Sequence, residues 1–468
     1  LMRRVLSLAV LATAFVVMMS PSTASAHAVL DSSTPGPSTV VKESPEEIVL
    51  DFSETIENSL LSIRLFDSEQ IEVNIGDAQR SSTDQSQATA DVSVLDDGVY
   101  VVVWRAVSAD GHPVSGAFPF EVGNSSNVDA NELLTRVLKG IDTESPLGTP
   151  LAVSRFLAYI ALIVLVGMMV FAWGRGSFVV PAVVTALRRA ISAFAVGSVG
   201  ILFMQGPYAA GRGWSAITDG GLLADVLPTR LGLASLVRVV LVAGWAALVL
   251  SLPRASHRWW KWLFAVVALL SIVSFSVSGH PSAGSLPGVF IPVDVVHLAA
   301  LSVWVGSFFA AVLVKTEEGV ARLSQLATVA MPVAVVTGVA QALHLTGGLS
   351  NIFSSQYGTY LLVKVAIIGA CLVIGFRLRL RMKSGQSTVT RLLTFEAVML
   401  AVVIAVTALM VGTSPTSTSA SSTSFSSTQI QGDVVVDFSI LPTRVGAAEV
   451  HVYLTPPGGS LEPVDNVA

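Results

Sequence analysis

The chain has 468 residues, 52% of them hydrophobic and only 13% charged, with a formal net charge of −5. Soluble domains carry about a quarter charged residues, so this balance excludes an ordinary soluble protein, and the lack of a basic stripe excludes nucleic acid as a partner. The single cysteine, Cys371, lies in an apolar run, which excludes a disulfide framework and a cysteine-built zinc site. The chain opens with Arg3 and Arg4, an apolar run from Val5 to Met19, Pro21 and the small residues Ala24-Ser25-Ala26. This order is that of a secretory signal, and its apolar core is shorter than the roughly 20 residues a span needs. Residues 1–26 are therefore read as a signal peptide, and cleavage after Ala26 makes His27 the new amino terminus. His27 then offers two nitrogens to a metal, its α-amine and its imidazole.

Residues 27–123 alternate with period two, as half-buried strands do. Strands are predicted at 48–52, 60–66, 90–94, 99–105 and 117–122, with a turn at Asp96-Asp97-Gly98 in which Gly98 supplies a positive φ. Short strands at this spacing over about 100 residues predict an all-β sandwich, with Phe52, Phe66, Trp104 and Phe118 in its core. Between the last two strands lies Asp110-Gly111-His112-Pro113. Alternate residues of an extended segment face the same way, so Asp110 and His112 can point at one centre. Taken alone, the pair reads more simply as a solvated turn. Joined to a processed amino-terminal histidine, it completes a tetragonal nitrogen and oxygen set that suits Cu(II). Residues 27–123 contain no methionine and no cysteine to favour Cu(I).

The segments His27-Ala28, Ser33 to Gly36, Leu50-Asp51-Phe52-Ser53-Glu54 and above all Tyr100 through Asp110-Gly111-His112 to Gly116 resemble the CopC copper-resistance proteins. The resemblance implies an Ig-like or cupredoxin-like sandwich whose Cu(II) ligands are His27, Asp110 and His112. Residues 124–150 follow as a polar connector with a short amphipathic helix at 131–138, read as a tether or a flexible spacer.

Apolar runs of about 20 residues predict eight transmembrane helices in 151–412, at 152–173, 190–208, 231–252, 262–279, 293–314, 323–346, 358–376 and 392–412. With an external amino terminus, thirteen Lys and Arg fall in the inside loops, against Arg212 and Arg230 outside. By the positive-inside rule both ends are extracytoplasmic. The run 178–187 is too short to span and is expected at the inner interface. His280, His297 with Asp294 one turn before it, and His344 all fall in the outer half of the predicted spans, with Met204 and Gln205 near the same level. Ionisable residues in spans are costly and face a cavity or partner, so these residues form a candidate metal path. Arg238, Lys364 and Glu396 also lie within spans, at depths that make a direct Lys364–Glu396 pair doubtful. Cys371, Met331 and Met399 read as packing.

Ser278-Gly279-His280, Asp294 to Ala300 with Trp304-Val305-Gly306, Tyr357 to Lys364, and Arg391 through Glu396 to Pro415 resemble the CopD membrane proteins of copper resistance. That resemblance implies copper import across a bacterial cytoplasmic membrane, with delivery to a cytoplasmic copper acceptor and no enzymatic step. Two other readings use the same histidines. A copper monooxygenase would need open equatorial positions, one of which Asp110 fills. A haem bundle carrying electrons across would need axial histidines in the inner half as well, and no predicted span has one there. Residues 413–431 read as a Ser/Thr-rich linker. Residues 432–468, with strands at 433–440 and 448–454, read as part of a further extracytoplasmic β segment.

Overall fold

The structure, a computed structural model, describes residues 28, 30–108, 111, 113–123, 130–140, 145–173, 180–282, 286–346, 352–353, 356–381, 386–411, 425–431, 434–441 and 449–455. The expected signal segment and the expected ligands His27, Asp110 and His112 lie outside the described residues. The chain divides into a β unit and a helical unit.

The β unit is the predicted sandwich. Its strands are β1 (Leu30–Thr34), β2 (Val40–Val41), β3 (Glu47–Phe52), β4 (Ser62–Phe66), β5 (Glu72–Val73), β6 (Gln79–Arg80), β7 (Gln87–Asp91), β8 (Gly98–Val107) and β9 (Pro113–Val122). They form a four-stranded sheet in the order β1-β3-β7-β6 and a five-stranded sheet in the order β2-β9-β8-β4-β5. Ile48, Leu50 and Phe52 of the first sheet pack with Tyr100, Val102, Trp104 and Phe118 of the second. Phe52 meets Trp104 edge-on at 5.3 Å between ring centroids. Trp104 faces Gly116 across the β8–β9 ladder, and a side chain at Gly116 would press into the indole, its Cβ 2.6 Å from Cζ2. The glycine is the space that Trp104 occupies.

Period two also explains why β8 is apolar almost throughout. Tyr100, Val102 and Trp104 face the sandwich core, whereas Val99 and Val101 face the other way, where they pack with Phe66 and with Leu133 and Val137 of helix α1 (Ala130–Gly140). A strand covered on both faces reads as a continuous apolar run rather than an alternation. Two expectations change here. Phe66 belongs to this second core and not to the sandwich interior, because it sits one residue out of phase with Ile63 and Leu65 of the first core. The connector is more than a tether or spacer: its helix closes the outer face of the sheet, with Leu133 fully buried. The turn before β8 also differs. Gly98 is already paired with Val122 in the ladder, and the positive φ falls instead on Gly123, at 71°, whose backbone lies against the Asp97 carboxylate.

Among the described residues the helical unit holds eight long helices, in the order of the eight predicted spans. These are α2 (Gly148–Ala172), α3 (Pro181–Ala209), α5 (Arg230–Leu250), α6 (Arg258–Ser276), α7 (Pro287–Val314), α8 (Glu317–Thr346), α9 (Gln356–Arg381) and α10 (Gln386–Met410), with a short α4 (Gly220–Val226) capped by the Asp219 carboxylate. Among the described residues, six are long and apolar enough to cross a membrane, and α9 and α10 carry shorter apolar stretches, Tyr357–Cys371 and Thr394–Met410. The segment expected at the inner interface is, from Pro181 on, the first two turns of α3. Pro at the start of a helix is compatible with its missing N–H, and no break separates it from the span.

Helix α2 packs against both α3 and α7. A Cβ added at Gly167 would collide with the Ser302 carbonyl and come within 2.5 Å of Gly306 Cα. A Cβ added at Gly197 of α3 would stand 2.6 Å from the Ser154 carbonyl oxygen and 2.7 Å from Ala158 N. Small residues let these backbones touch, which is how helices gain contact energy in lipid. Past the helices, β10 (Phe425–Gln431), β11 (Val434–Leu441) and β12 (Glu449–Thr455) form an antiparallel sheet in that order. Its first strand occupies much of the stretch read as linker.

If α1 is part of the fold, Leu133→Ala should lower the stability of the segment 27–145 by about 2–5 kcal/mol, the cost of a buried leucine truncation. Urea unfolding measures this; an unchanged midpoint would make the helix a mere spacer.

Candidate metal sites

The β unit brings the flanks of the three expected ligand positions to one end of the sandwich. Ala28, which follows His27, is 3% exposed and belongs to the sandwich core. Strand β1 starts where β3 ends, since Leu30 pairs with Phe52. The chain beyond β3 continues to Ile56, which bridges to Ser108, while Glu57 N donates to the Val107 carbonyl at 2.7 Å. Val107 in turn pairs with Pro113, so residues 108–112 join β8 to β9. Within that connection Gly111 has φ 84°, a left-handed value that glycine adopts without strain. Ser108 on one side is fully buried. The segment leaving Ala28 and the connection carrying Asp110 and His112 are thus anchored at the same end, around the Phe52–Trp104 contact.

In the helical unit, Asp294 and His297 lie one turn apart on α7. His297 is seated by α8: its Nδ1 is 3.0 Å from Thr337 Oγ1, and its ring packs on Gly338, where a Cβ would be 3.0 Å from Cε1. The Thr337 hydroxyl donates its one hydrogen to the Val333 carbonyl at 2.7 Å. With that hydrogen placed there, its lone pairs accept from His297 Nδ1–H and the lone pair of the ring is left on Nε2. A histidine held in this way presents Nε2 as a metal ligand. Asp294 faces Ser276 of α6, Gln341 of α8 and the Lys364 ammonium of α9. Tyr159 of α2 lies within electrostatic reach of both Asp294 and Arg238 of α5. Arg238, 2% exposed, donates to the Ser274 carbonyl at 2.6 Å and to the Ser274 and Ser278 hydroxyls, and lies 4.1 Å above the Phe275 ring. Its charge is spent on α6.

His280 and His344 are also buried. His280, on a single 3-10 turn (His280–Ser282), meets Tyr357 edge-on at 6.1 Å. His344 stacks flat on Phe290, 3.5 Å between centroids, one turn before Asp294 on α7. Neither of its ring nitrogens has a hydrogen-bond partner among the described residues. Met204 packs in the apolar core with Leu151, Ile201 and Leu231. Among the described residues no three His, Cys, Asp or Glu side chains form a group able to hold a metal ion. His344 of α8, stacked on Phe290, therefore lies one turn before Asp294 and His297 of α7, the last pair within electrostatic reach of Lys364, and the three do not close around a centre. Sequence reasoning marked Lys364 as an intramembrane charge without a partner; it missed Thr337, Gln341 and Ser276, whose types occur in spans for many reasons.

Comparison with known proteins finds matches in both units. The CopC domain family matches residues 30–123, the copper resistance protein D-like N-terminal domain 145–289, and the copper resistance protein D family 317–410. The copper transport protein CutJ of Bacillus subtilis (strain 168) is 26% identical over 96% of this chain and 85% of its own length. Protein YobA of Escherichia coli (strain K12) is 32% identical over 21% of this chain and 79% of its own. Among solved structures, CopC from Methylosinus trichosporium OB3b is 31% identical, covers 22% of this chain and 100% of its own, and superposes with a TM-score of 0.20.

With Thr337→Val, His297 should lose its fixed tautomer. Histidine nitrogen NMR on labelled protein should show a protonated Nδ1 for His297 in the parent and a tautomer mixture in the variant. A protonated Nε2 in the parent would reverse the assignment.

Proposed function

Since the chain belongs to the fused CopC–CopD copper-resistance proteins, with a function in copper transport and resistance and several membrane-spanning helices, we propose that it imports copper across the bacterial cytoplasmic membrane. The β unit captures Cu(II) outside the cytoplasm through the α-amine and imidazole of His27, the Asp110 carboxylate and the His112 imidazole. The ion then passes to the outer half of the helical unit, where His280, His344, Asp294 and His297 offer nitrogen and oxygen donors, and leaves to a cytoplasmic acceptor. No step makes or breaks a covalent bond of an organic substrate.

The observation that carries this reading is the anchoring of Ala28 and of the β8–β9 connection at one end of the sandwich. Residues 27 and 109–112 are separated by over eighty positions in sequence, and the β1–β3 and Ile56–Ser108 pairings draw their neighbours together. The donor set is all nitrogen and oxygen, which suits Cu(II). The α-amine among them exists only after signal cleavage. The tautomer of His297, with its lone pair on Nε2, supports the second half of the path. The positive-inside count supports the orientation, with both ends of the chain outside.

Calorimetric titration of segment 27–145 bearing a native His27 terminus should give one tight Cu(II) site. One extra residue before His27, or Asp110→Ala, should weaken it at least about tenfold, since even outer-shell changes at metal sites cost that much. Equal affinity in the extended form would remove the amino terminus from the site. In proteoliposomes, His297→Ala and His344→Ala should slow copper uptake; rates equal to the parent would exclude the outer histidines from the path.

A further inference from the structure

Cys371 is the one cysteine of the chain and is 6% exposed. It lies in a cluster with Trp304 and Val305 of α7, Ala330 and Ala334 of α8, and Leu400 of α10. Met331 of α8 and Met399 of α10 pack against that same cluster. Glu396 of α10, one turn from Met399 and from Leu400 on the same helical face, is 1% exposed and lies within electrostatic reach of the Cys371 thiol. Its Oε1 has no hydrogen-bond partner among the described residues. Leaving a carboxyl oxygen buried and unsatisfied is costly. Packing alone therefore accounts for the two methionines, but not for a buried carboxyl group on the face that meets the cluster.

The cluster has a definite depth relative to the Asp294–His297 pair. Cys371 is seven residues beyond Lys364 on α9, Met331 six residues before Thr337 on α8, and Trp304 seven residues beyond His297 on α7. At 1.5 Å per residue all three steps are about 10 Å, in one direction along the bundle. The sulfur cluster is the next level below the nitrogen and oxygen level.

We propose that Cys371, Met331, Met399 and Glu396 form a metal site for Cu(I). Thioether and thiol sulfurs are soft donors that select Cu(I) over Cu(II) and over hard cations. The carboxylate supplies a negative charge where lipid and apolar side chains supply none. Donors come from α8, α9 and α10, of which α9 and α10 pack directly on each other. The inference rests on the copper-transport reading, which supplies Cu(II); a one-electron reductant such as a thiol converts the ion to Cu(I) before it reaches this level, and the donors are the site's own.

The test uses the full-length protein in lipid nanodiscs, loaded without oxygen with one equivalent of Cu(I). X-ray absorption should show sulfur scatterers around copper. Met331→Leu with Met399→Leu, swaps that nearly conserve volume, should weaken Cu(I) affinity against a chromophoric chelator at least about tenfold and reduce the sulfur signal. Cys371→Ser should do the same. Coordination by nitrogen and oxygen alone in the parent would overturn the site, as would an unchanged spectrum and affinity in the double variant. The parent spectrum decides even if a variant fails to fold. Loading the same protein with Cu(II) in air and recording electron paramagnetic resonance tests the capture site separately. A Cu(II) signal without sulfur-bound Cu(I) rejects only this inference; sulfur-bound Cu(I) without a Cu(II) signal rejects only the capture reading.

Discussion

The close approach of backbones along α2 is what the helical unit depends on. Lipid tails are as apolar as leucine, so helices in a bilayer gain little by hiding apolar faces from it. They associate where surfaces touch and where polar groups find one another. At Gly167 against Gly306, and at Gly197 against Ser154 and Ala158, the absence of a Cβ allows that contact on two sides of one helix. Tyr159, on the same helix, lies within electrostatic reach of Arg238 and Asp294. A bulkier residue at 167 or 306 would push α2 away from α7, the helix that holds both Asp294 and His297.

The β unit solves a different problem by a related device. Strand β8 must present its even-numbered residues to one core and its odd-numbered ones to another, and α1 supplies the second. With both faces covered and with Ile56 bridging Ser108, the end of β8 is fixed before the chain turns. Ligands on a connection between rigid strands are held more closely than ligands on a long loop. The tight Trp104–Gly116 pair serves the same end. It lets the largest side chain of the β8–β9 ladder lie flat across its partner strand without bending it.

Much of this was legible because single segments carry it. Apolar runs of span length gave the helices, since lipid demands length, and alternation gave the main strands. What escaped notice depends on pairs of segments. The 131–138 pattern announces an amphipathic helix without naming its partner, and Val99 and Val101 announce a covered face without naming the cover. Lys364 was compared with Glu396 because both lie on neighbouring spans; its partner Asp294 is on α7, and no periodicity links the two. Gly98 drew the turn assignment because it follows two aspartates, yet the ladder needs it extended and gives the left-handed position to Gly123. Cys371, Met331 and Met399 read as separate packing residues for the same reason: they come from three helices.

The charges of the helical unit do not by themselves decide which form of copper it accepts. A cation arriving beside Asp294 and His297 also meets Lys364. A dication doubles both its repulsion by an ammonium there and its attraction to the Asp294 carboxylate, so these charges select neither oxidation state, and the proposed nitrogen and oxygen donors accept Cu(II) as delivered. About ten ångströms deeper the proposed donors become sulfur, and there the chemistry of the ligands favours the monovalent ion. Discrimination between the two forms of copper therefore lies in the change of donor between the two levels, with a one-electron reductant acting between them.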